Sequence, residues 1–347
     1  MALSKQDPRL AFYCERHDDI SQLVRRYILF FFYEDHSVEM RELPKNVIHL
    51  RRTPFPHLRK DCFRLGTALT IFGGIVKITG YADEVTRVLC EKESESTVML
   101  LGESLLPQLG HYLAMLTEEC GFAISSMQMV WPRGDIFETY GLPEGLTNGR
   151  VVVACCVRAD AVQKGLDYMN RATGAFAARD EEEAKKWAQL VEEVSRKPVA
   201  IFEDPHCSVV IVKPHAVRSR NAGSILQLLL DAGLEPAALR TANLSSRVVD
   251  IFLQPYKDVL PDFSESAKGL TGHVWVIQLV SPEDEVDVVS LVREVCGPFD
   301  PIIAKELRPK SVRAIYGADR ANNAVHCCDL PEEGAIYTNF FFGSKYI

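Results

Sequence analysis

The stretch NNAVHCCDL, residues 322–330, sets a single histidine, His326, between two asparagines and two cysteines. An imidazole there has three available roles. It can attack a phosphate, because a side chain with a pKa near about 6.5 is largely neutral at physiological pH and can carry a phosphoryl group between two half-reactions. It can hold a metal, or it can fill a turn beside a buried strand. The metal role is the weakest of the three. His326, Cys327, Cys328 and Asp329 are consecutive and cannot converge on one tetrahedral ion, and no CxxC accompanies them. Phosphate chemistry would need cations near the nucleophile, since a phosphoryl group in transit carries charge on several oxygens. Arginine suits that need through its planar fork. The basic and aromatic residues in the later part of the chain also have plain readings. Arg293 and Arg313 suit surface ion pairs, and Tyr256 and Phe263 suit core aromatics on a helix hairpin. Lys213, before Pro214 at the end of a strand, is a less usual place for a merely solvated lysine.

These residues need elements to position them, and an internal repeat supplies the elements. TVMLLGESLLPQLGHYLAMLTEECGFAISSMQMV (97–130) and SVVIVKPHAVRSRNAGSILQLLLDAGLEPAALRTANL (208–244) each read as an apolar strand, a glycine-containing loop, a helix ending at a C-cap glycine, and another strand. GRVVVACCVRADAVQKGLDYMNRATG (149–174) then aligns without a gap to GHVWVIQLVSPEDEVDVVSLVREVCG (272–297), its bounding glycines 25 residues apart in both copies. Each copy therefore runs β-α-β, β-α, with a final strand expected, the order of a ferredoxin-like split βαβ fold. Residues 180–198 predict an amphipathic helix with Trp187, Leu190, Val191 and Val194 on one side, leading into a strand at VAIFED (199–204). Ahead of the repeat, residues 26–43 read as strand, polar turn and strand. Residues 69–84 form a second hairpin turning at Gly73-Gly74, a short helix covers 82–92, and KESES (92–96) is the joint. The aromatic C-terminal stretch AIYTNFFFGSKYI (335–347) is expected to be a final strand with a docked tail.

The second copy resembles a nucleoside diphosphate kinase domain over nearly all of residues 206–342. KPHAV (213–217) after a strand, RPKSVRAIYG (308–317) and NNAVH (322–326) stand in that family's order. Through RRYILFFFYEDHSVEMREL, IVKPHAV and AVHCCDLPEEG, the whole chain resembles the axonemal branch of the family, which carries an N-terminal DM-ten domain before two kinase-like domains. The resemblance implies an α+β chain. A pleckstrin-like DM-ten β domain would occupy 1–92, a degenerate kinase-like domain 96–205, and a kinase-like domain 206–347, the last two being ferredoxin-like βαββαβ folds. It makes His326 the phosphate acceptor. Arg293 and Arg313 would hold the phosphates, and Lys213, Tyr256 and Asn323 would bind the sugar hydroxyls and terminal phosphates. Phe263 would stack on the base. Mg²⁺ would arrive on ATP, GTP or a diphosphate, with no metal held by the protein itself. The implied address is the axoneme of a cilium or flagellum, as a microtubule inner protein on the doublet, with tubulin and other axonemal proteins as partners.

The copy departs from the family's pattern at several positions. His215 stands for an aspartate, Phe299 for a phosphate-contacting threonine, and Cys328 for a hydroxyl residue, a weaker hydrogen-bond partner. Tyr337 falls where a carboxylate orients the histidine, so attack should weaken unless Glu332 or Glu333 substitutes. The first copy has lost more. Gly102 takes the lysine position and Asn170 that of Arg293, and no histidine lies between His111 and His206. From the C-cap glycine to the next strand glycine it has 28 residues against 39 in the second copy, a loss from the base-clamping helix hairpin.

Bulk properties narrow the function classes. A chain of 347 residues suits two or three domains. A net charge of −8 argues against general nucleic-acid binding, and no run of 18 apolar residues crosses a bilayer. The start lacks a basic-then-apolar export layout, so the ten cysteines are expected as reduced thiols, with Cys155-Cys156 and Cys327-Cys328 as buried strand thiols. Residues 1–64 are locally basic, with 12 Lys and Arg against 9 Asp and Glu; a solvated face explains this, and so does a contact with an acidic protein. The sequence ranks an axonemal scaffold with one partly retained site first. An active kinase working through His326 is the alternative, and a nucleotide held without turnover joins the two.

Overall fold

The computed structural model describes residues 8–18, 23–56, 58–63, 68–72, 74–92, 95–132, 135–146, 149–158, 160–169, 174–194, 206–257, 263–283 and 285–343. Two compact units divide between Glu95 and Ser96. In the first, β1 (Arg9–Asp18), β2 (Leu23–Phe32), β3 (Ser37–Glu42), β4 (Val47–Pro54), β5 (Ala68–Ile71) and β6 (Gly74–Tyr81) form one antiparallel sheet in the order β4-β3-β2-β1-β6-β5. The expected hairpin over 26–43 is β2 and β3, and Leu29, Phe31, Val38 and Met40 send alternate side chains into the core. The second hairpin is β5 and β6, with Gly73 outside the described residues. Helix α1 (Glu84–Lys92) is tied down where the Thr86 hydroxyl accepts the Ala11 main-chain N–H at 2.8 Å.

The second unit is built on one eight-stranded sheet. The first copy supplies β7 (Glu95–Leu101), β8 (Ala123–Val130), β9 (Val151–Arg158) and β10 (Ala175–Ala177). The second supplies β11 (Cys207–Val212), β12 (Glu235–Leu244), β13 (Gly272–Val280) and β14 (Val325–Cys327). The order is β10-β7-β9-β8-β12-β13-β11-β14, so each copy repeats one strand arrangement and the two meet at β8 and β12. There Arg240 faces Gln128 across an antiparallel pairing, and the Thr241 hydroxyl accepts the Met127 N–H at 2.9 Å. Its helices in the first copy are α2 (Leu109–Ala114), α3 (Asp135–Tyr140), α4 (Ala161–Met169) and α5 (Glu181–Val194). The second copy has α6 (Pro214–Arg218), α7 (Ala222–Asp231), α8 (Ser246–Phe252), α9 (Phe263–Leu270), α10 (Val288–Cys296), α11 (Pro301–Leu307), α12 (Val312–Tyr316) and α13 (Glu333–Thr338). Among the described residues no helix is long and apolar enough to cross a membrane.

Both faces of this sheet are covered, which is why its strands read as continuous apolar runs. On one face the copies share a core: Leu109, Leu113 and Leu116 of the first pack with Ile225, Leu226 and Trp275 of the second. On the other face each copy keeps its own core. Tyr140, Trp187, Leu190 and Val191 fill the first, as the 180–198 helix pattern anticipates, and Phe252, Tyr337 and Phe341 fill the second. The strand expected at 199–204 lies outside the described residues. Between β8 and β9 the first copy has α3 and one short turn, whereas the second has α8, a turn and α9 between β12 and β13, so the length difference does fall in the helix hairpin.

The C-terminal expectation is corrected. Residues 333–343 form α13 and a wide helical turn, not a strand, and 344–347 lie outside the described residues. The last strand is β14, which occupies the edge beside β11. The segment after it covers the open face of the sheet instead. It buries Tyr337, Thr338, Phe341 and Phe342, a spacing of i, i+1, i+4 and i+5 that only a helix can turn to one side.

The copies approach most closely where α2 crosses α7. A Cβ on Gly110 would run into the main chain of Gln227, and one on Gly223 into the main chain of Ala114. Replacing a helical glycine with alanine gains roughly 1 kcal/mol of intrinsic propensity, but a clash with main chain cannot be relieved by rotating a side chain, so the helices must separate. Gly110→Ala and Gly223→Ala are each expected to destabilise the protein by about 1–3 kcal/mol net of that gain, measured by urea unfolding of the variant against the parent.

Candidate active site

Strand β14 sets His326 opposite Ile211. Its neighbours Val325 and Cys327 turn into the core shared by the copies, so the imidazole turns to the other face. Three aromatic rings enclose it there: Phe252 edge-on at 5.4 Å between centroids, Tyr256 edge-on at 6.0 Å, and Tyr337 stacked at 5.7 Å. Its Nε2 lies 3.1 Å from the Tyr337 hydroxyl, while Nδ1 makes no hydrogen bond among the described residues. Tyr337 lies 2.7 Å, oxygen to oxygen, from Tyr256, whose hydroxyl in turn donates to Glu333 Oε1. The other oxygen of Glu333 accepts the main-chain N–H groups of Asp329 (2.6 Å) and Leu330 (3.2 Å).

Two cations are buried beside the ring. Lys213 caps α6 directly after β11, is 4% exposed, and donates from Nζ to the Ala321 carbonyl at 2.8 Å. Arg313, in α12, donates to the carbonyls of Gly297 (2.6 Å) and Val325 (3.3 Å) and to the Cys327 sulfur (3.6 Å). Burial, then Arg313 nearby, brings the Lys213 ammonium down to about 7. Burial, then the charges of Lys213 and Arg313, lowers His326 to about 3, so the ring is neutral at physiological pH. Asn323 donates to the Phe299 carbonyl at 2.9 Å, while its own Oδ1 and the Nε of Arg313 are buried without a hydrogen-bond partner.

The structure thus gathers His326, Lys213, Arg313, Asn323 and Tyr256. Arg293 stands at one remove, half-exposed, 3.8 Å from the Asp329 carboxylate and donating to its carbonyl at 3.2 Å. Phe263 begins α9 and packs, half-buried, against the core that contains Phe252 and Tyr337. The Phe299 ring faces the guanidinium groups of Arg313 (6.0 Å) and Arg320 (5.8 Å), a cation–π contact in place of a hydroxyl donor. Cys328 pairs with Val209, whose N–H it accepts at 3.4 Å. Sequence reasoning set Tyr337 where a carboxylate would orient the histidine and counted it a loss, whereas the phenol itself is the direct partner of the ring. The one available signal was the four-residue spacing from Glu333 to Tyr337, which puts both on one helical face. Among the described residues no group of three or more His, Cys, Asp or Glu could hold a metal.

The first copy superposes in topology without the chemistry. The Gly102 N–H donates to the Gly174 carbonyl as that of Lys213 does to Ala324. The register of β10 on β7 then sets Phe176 at the position of His326 on β14. Asn170 lies outside the described residues.

A sequence description of nucleoside diphosphate kinase matches residues 206–347. The nucleoside diphosphate kinase of Chlamydia trachomatis serovar D is 31% identical over 137 residues, covering 40% of this chain and 92% of the bacterial protein. The chain belongs to the nucleoside diphosphate kinase family. Likeness to the family member named nucleoside diphosphate kinase homolog 7 of Mus musculus runs further, with 27% identity over 379 residues, covering 99% of this chain and 95% of that protein. A crystal form of the Aquifex aeolicus nucleoside diphosphate kinase aligns at 30% identity and a TM-score of 0.36, covering 40% of this chain and 96% of that one.

Three histidines in this unit are held neutral by burial: His326 at about 3, His215 at about 4, and His273, also lowered. In the unfolded chain each titrates near about 6.5. As pH falls below 6.5 the unfolded state binds protons that the folded state refuses, so stability present above that pH is lost toward the folded values. Lys213 acts at the alkaline end. With a folded value near 7 and an unfolded one near 10.5, it adds stability as pH rises between them. Urea unfolding is expected to weaken steeply from pH 6.5 to 4.5. The slope in His326→Gln should be shallower by up to about 1.4 kcal/mol per pH unit.

Proposed function

We propose that residues 206–347 bind a nucleoside triphosphate or diphosphate, with Mg²⁺ carried on its phosphates, and transfer the terminal phosphoryl group through His326. The observation that carries this reading is a neutral imidazole held beside two buried cations, Lys213 and Arg313, whose hydrogen-bond partners in the protein are carbonyl oxygens and, for Arg313, the Cys327 sulfur. An arriving phosphate offers those cations a better acceptor than a neutral carbonyl. The unpartnered Asn323 Oδ1 and Arg313 Nε support the same reading, since buried polar atoms without partners cost energy that a polar ligand relieves. Arg293, half-exposed beside Asp329, would meet the outer phosphates, and Phe263 and Tyr256 would flank the base and sugar. Incubation with γ-labelled ATP and Mg²⁺ is expected to give an acid-labile, base-stable phosphoprotein. The label should vanish in His326→Ala, while nucleotide binding falls by less than about tenfold. Nucleotide binding without label in the parent protein would leave only a structural ligand.

A second reading concerns the chain as a whole: an axonemal protein of cilia or flagella. Its N-terminal unit would be a pleckstrin-like DM-ten domain, and its surface would dock on doublet microtubules against tubulin and other axonemal proteins. The first copy favours this reading, because it keeps its packing on the second copy while phenylalanine and glycine fill the positions of histidine and lysine. Similarity across 99% of the chain to a relative of the same length class supports a shared architecture. Fractionation of ciliated cells is expected to leave the protein on salt-washed axonemes; release of all of it by detergent alone would count against the assignment.

A further inference from the structure

Three hydrogen-bonded contacts join Glu333 to His326 in series: Glu333 to Tyr256, Tyr256 to Tyr337, and Tyr337 to His326 Nε2. Each contact needs one proton between its two heavy atoms, and each phenol has only one to give. Glu333 decides the direction. Its Oε2 faces two main-chain N–H groups, the setting of an ionised, acceptor-only carboxylate. Tyr256 must then donate to Glu333, Tyr337 must donate to Tyr256, and the ring must donate to Tyr337. The reverse assignment at the last step would leave the two phenolic oxygens facing each other at 2.7 Å with no proton between them.

We infer that Glu333 is a positioning residue that sets the tautomer of His326 through Tyr256 and Tyr337, holding the proton on Nε2 and leaving the lone pair on Nδ1. The tautomer follows from the geometry alone; its catalytic consequence rests on the reading of His326 as the phosphoryl acceptor. In that reaction the Nδ1 lone pair forms the bond to the terminal phosphorus. The bond from phosphorus to the bridging oxygen breaks, and its electron pair leaves with the nucleoside diphosphate. The Nε2 proton stays where it is, shared with Tyr337, so no base need accept it. The carboxylate that sequence comparison finds missing at position 337 is therefore supplied from position 333 by way of two phenols.

The substitution Glu333→Gln should invert the chain of donors. Its amide oxygen is held by the N–H groups of Asp329 and Leu330, because the alternative would set an NH₂ group against two other donors. The amide NH₂ then donates to Tyr256, Tyr256 to Tyr337, and Tyr337 to Nε2, which sends the ring proton to Nδ1. The test is long-range ¹H–¹⁵N correlation on the full chain labelled in histidine, with His326 assigned by its loss in His326→Gln. The parent protein is expected to show a pyrrole-like Nε2 and a pyridine-like Nδ1, and Glu333→Gln to exchange the two. Tyr256→Phe, which removes the acceptor of the Tyr337 proton, should produce the same exchange and covers the case in which Glu333→Gln does not fold. Phosphohistidine formation should fall by on the order of 100-fold or more in both variants. A parent protein protonated at Nδ1, or variants that leave its ring shifts unchanged, would overturn the inference. The expected ring shifts without any phosphohistidine in the parent would instead overturn the acceptor reading and leave the tautomer assignment standing.

Discussion

Two positive charges buried against one imidazole are the constraint around which the second copy is built. A buried ammonium or guanidinium without good partners is costly, by several kcal/mol per ion. Lys213 and Arg313 find main-chain carbonyls at 2.6 to 3.3 Å, which satisfy donors without neutralising them, and Arg313 also meets the Cys327 sulfur at 3.6 Å. Burial first, and then neighbouring charge, depresses both groups: Arg313 acts on the ammonium of Lys213, and Lys213 and Arg313 on the imidazole. A site in this condition is an electrostatic preparation for an anion. Burial, and then the same two charges, keep the ring unprotonated, the state that the proposed phosphoryl transfer requires.

The first copy shows what the fold retains when that constraint is lifted. Without Lys213's counterpart, the chain at Gly102 is packed by Leu146, and the ring at 176 is a phenyl that joins the local core. Among the described residues of that copy no charged side chain is buried. What it keeps is contact with its twin: the β8–β12 junction, the glycine crossing of α2 and α7, and Arg150, which pairs with Glu103 and donates to the Pro236 carbonyl at 2.8 Å. Two copies in one chain thus share one core on the face where α2 and α7 cross.

Much of this was legible in the sequence, for particular reasons. The repeat was visible because the glycines that bound β9 and α4 recur around β13 and α10 with equal spacing, and Gly149, Gly174, Gly272 and Gly297 all adopt positive φ. The hairpin of β2 and β3 was visible through its alternation. The C-terminal helix was misread because its run of phenylalanines was weighed as strand propensity, although Tyr337, Phe341 and Phe342 carry helical spacing. The site divided in the same way. His326, Lys213, Arg313 and Asn323 stood in a recognisable order, whereas the partners of the ring depended on where a turn at Tyr256 met a helix at Glu333 and Tyr337. Contacts of that kind between segments 77 and 81 residues apart have no local pattern.

The displaced carboxylate follows from helix geometry. Glu333 and Tyr337 sit one turn apart on α13, about 6 Å along its axis, too far for a carboxylate at 333 to touch the ring that the side chain at 337 reaches. A phenol at 337 spans the remaining distance and still offers one donor and one acceptor. A second phenol, brought by the turn after α8, carries the contact back to Glu333. Burial raises both tyrosines well above their usual range, so neither gives up its proton to the other members of the chain. A neutral relay of this kind transmits hydrogen-bond direction without moving charge. It can fix which nitrogen of the imidazole is bare, but it supplies less stabilisation than a carboxylate in direct contact to a ring that gains positive character as it attacks. Under the proposed role of His326, such a relay would keep the orienting function of a carboxylate and lose part of its electrostatic one.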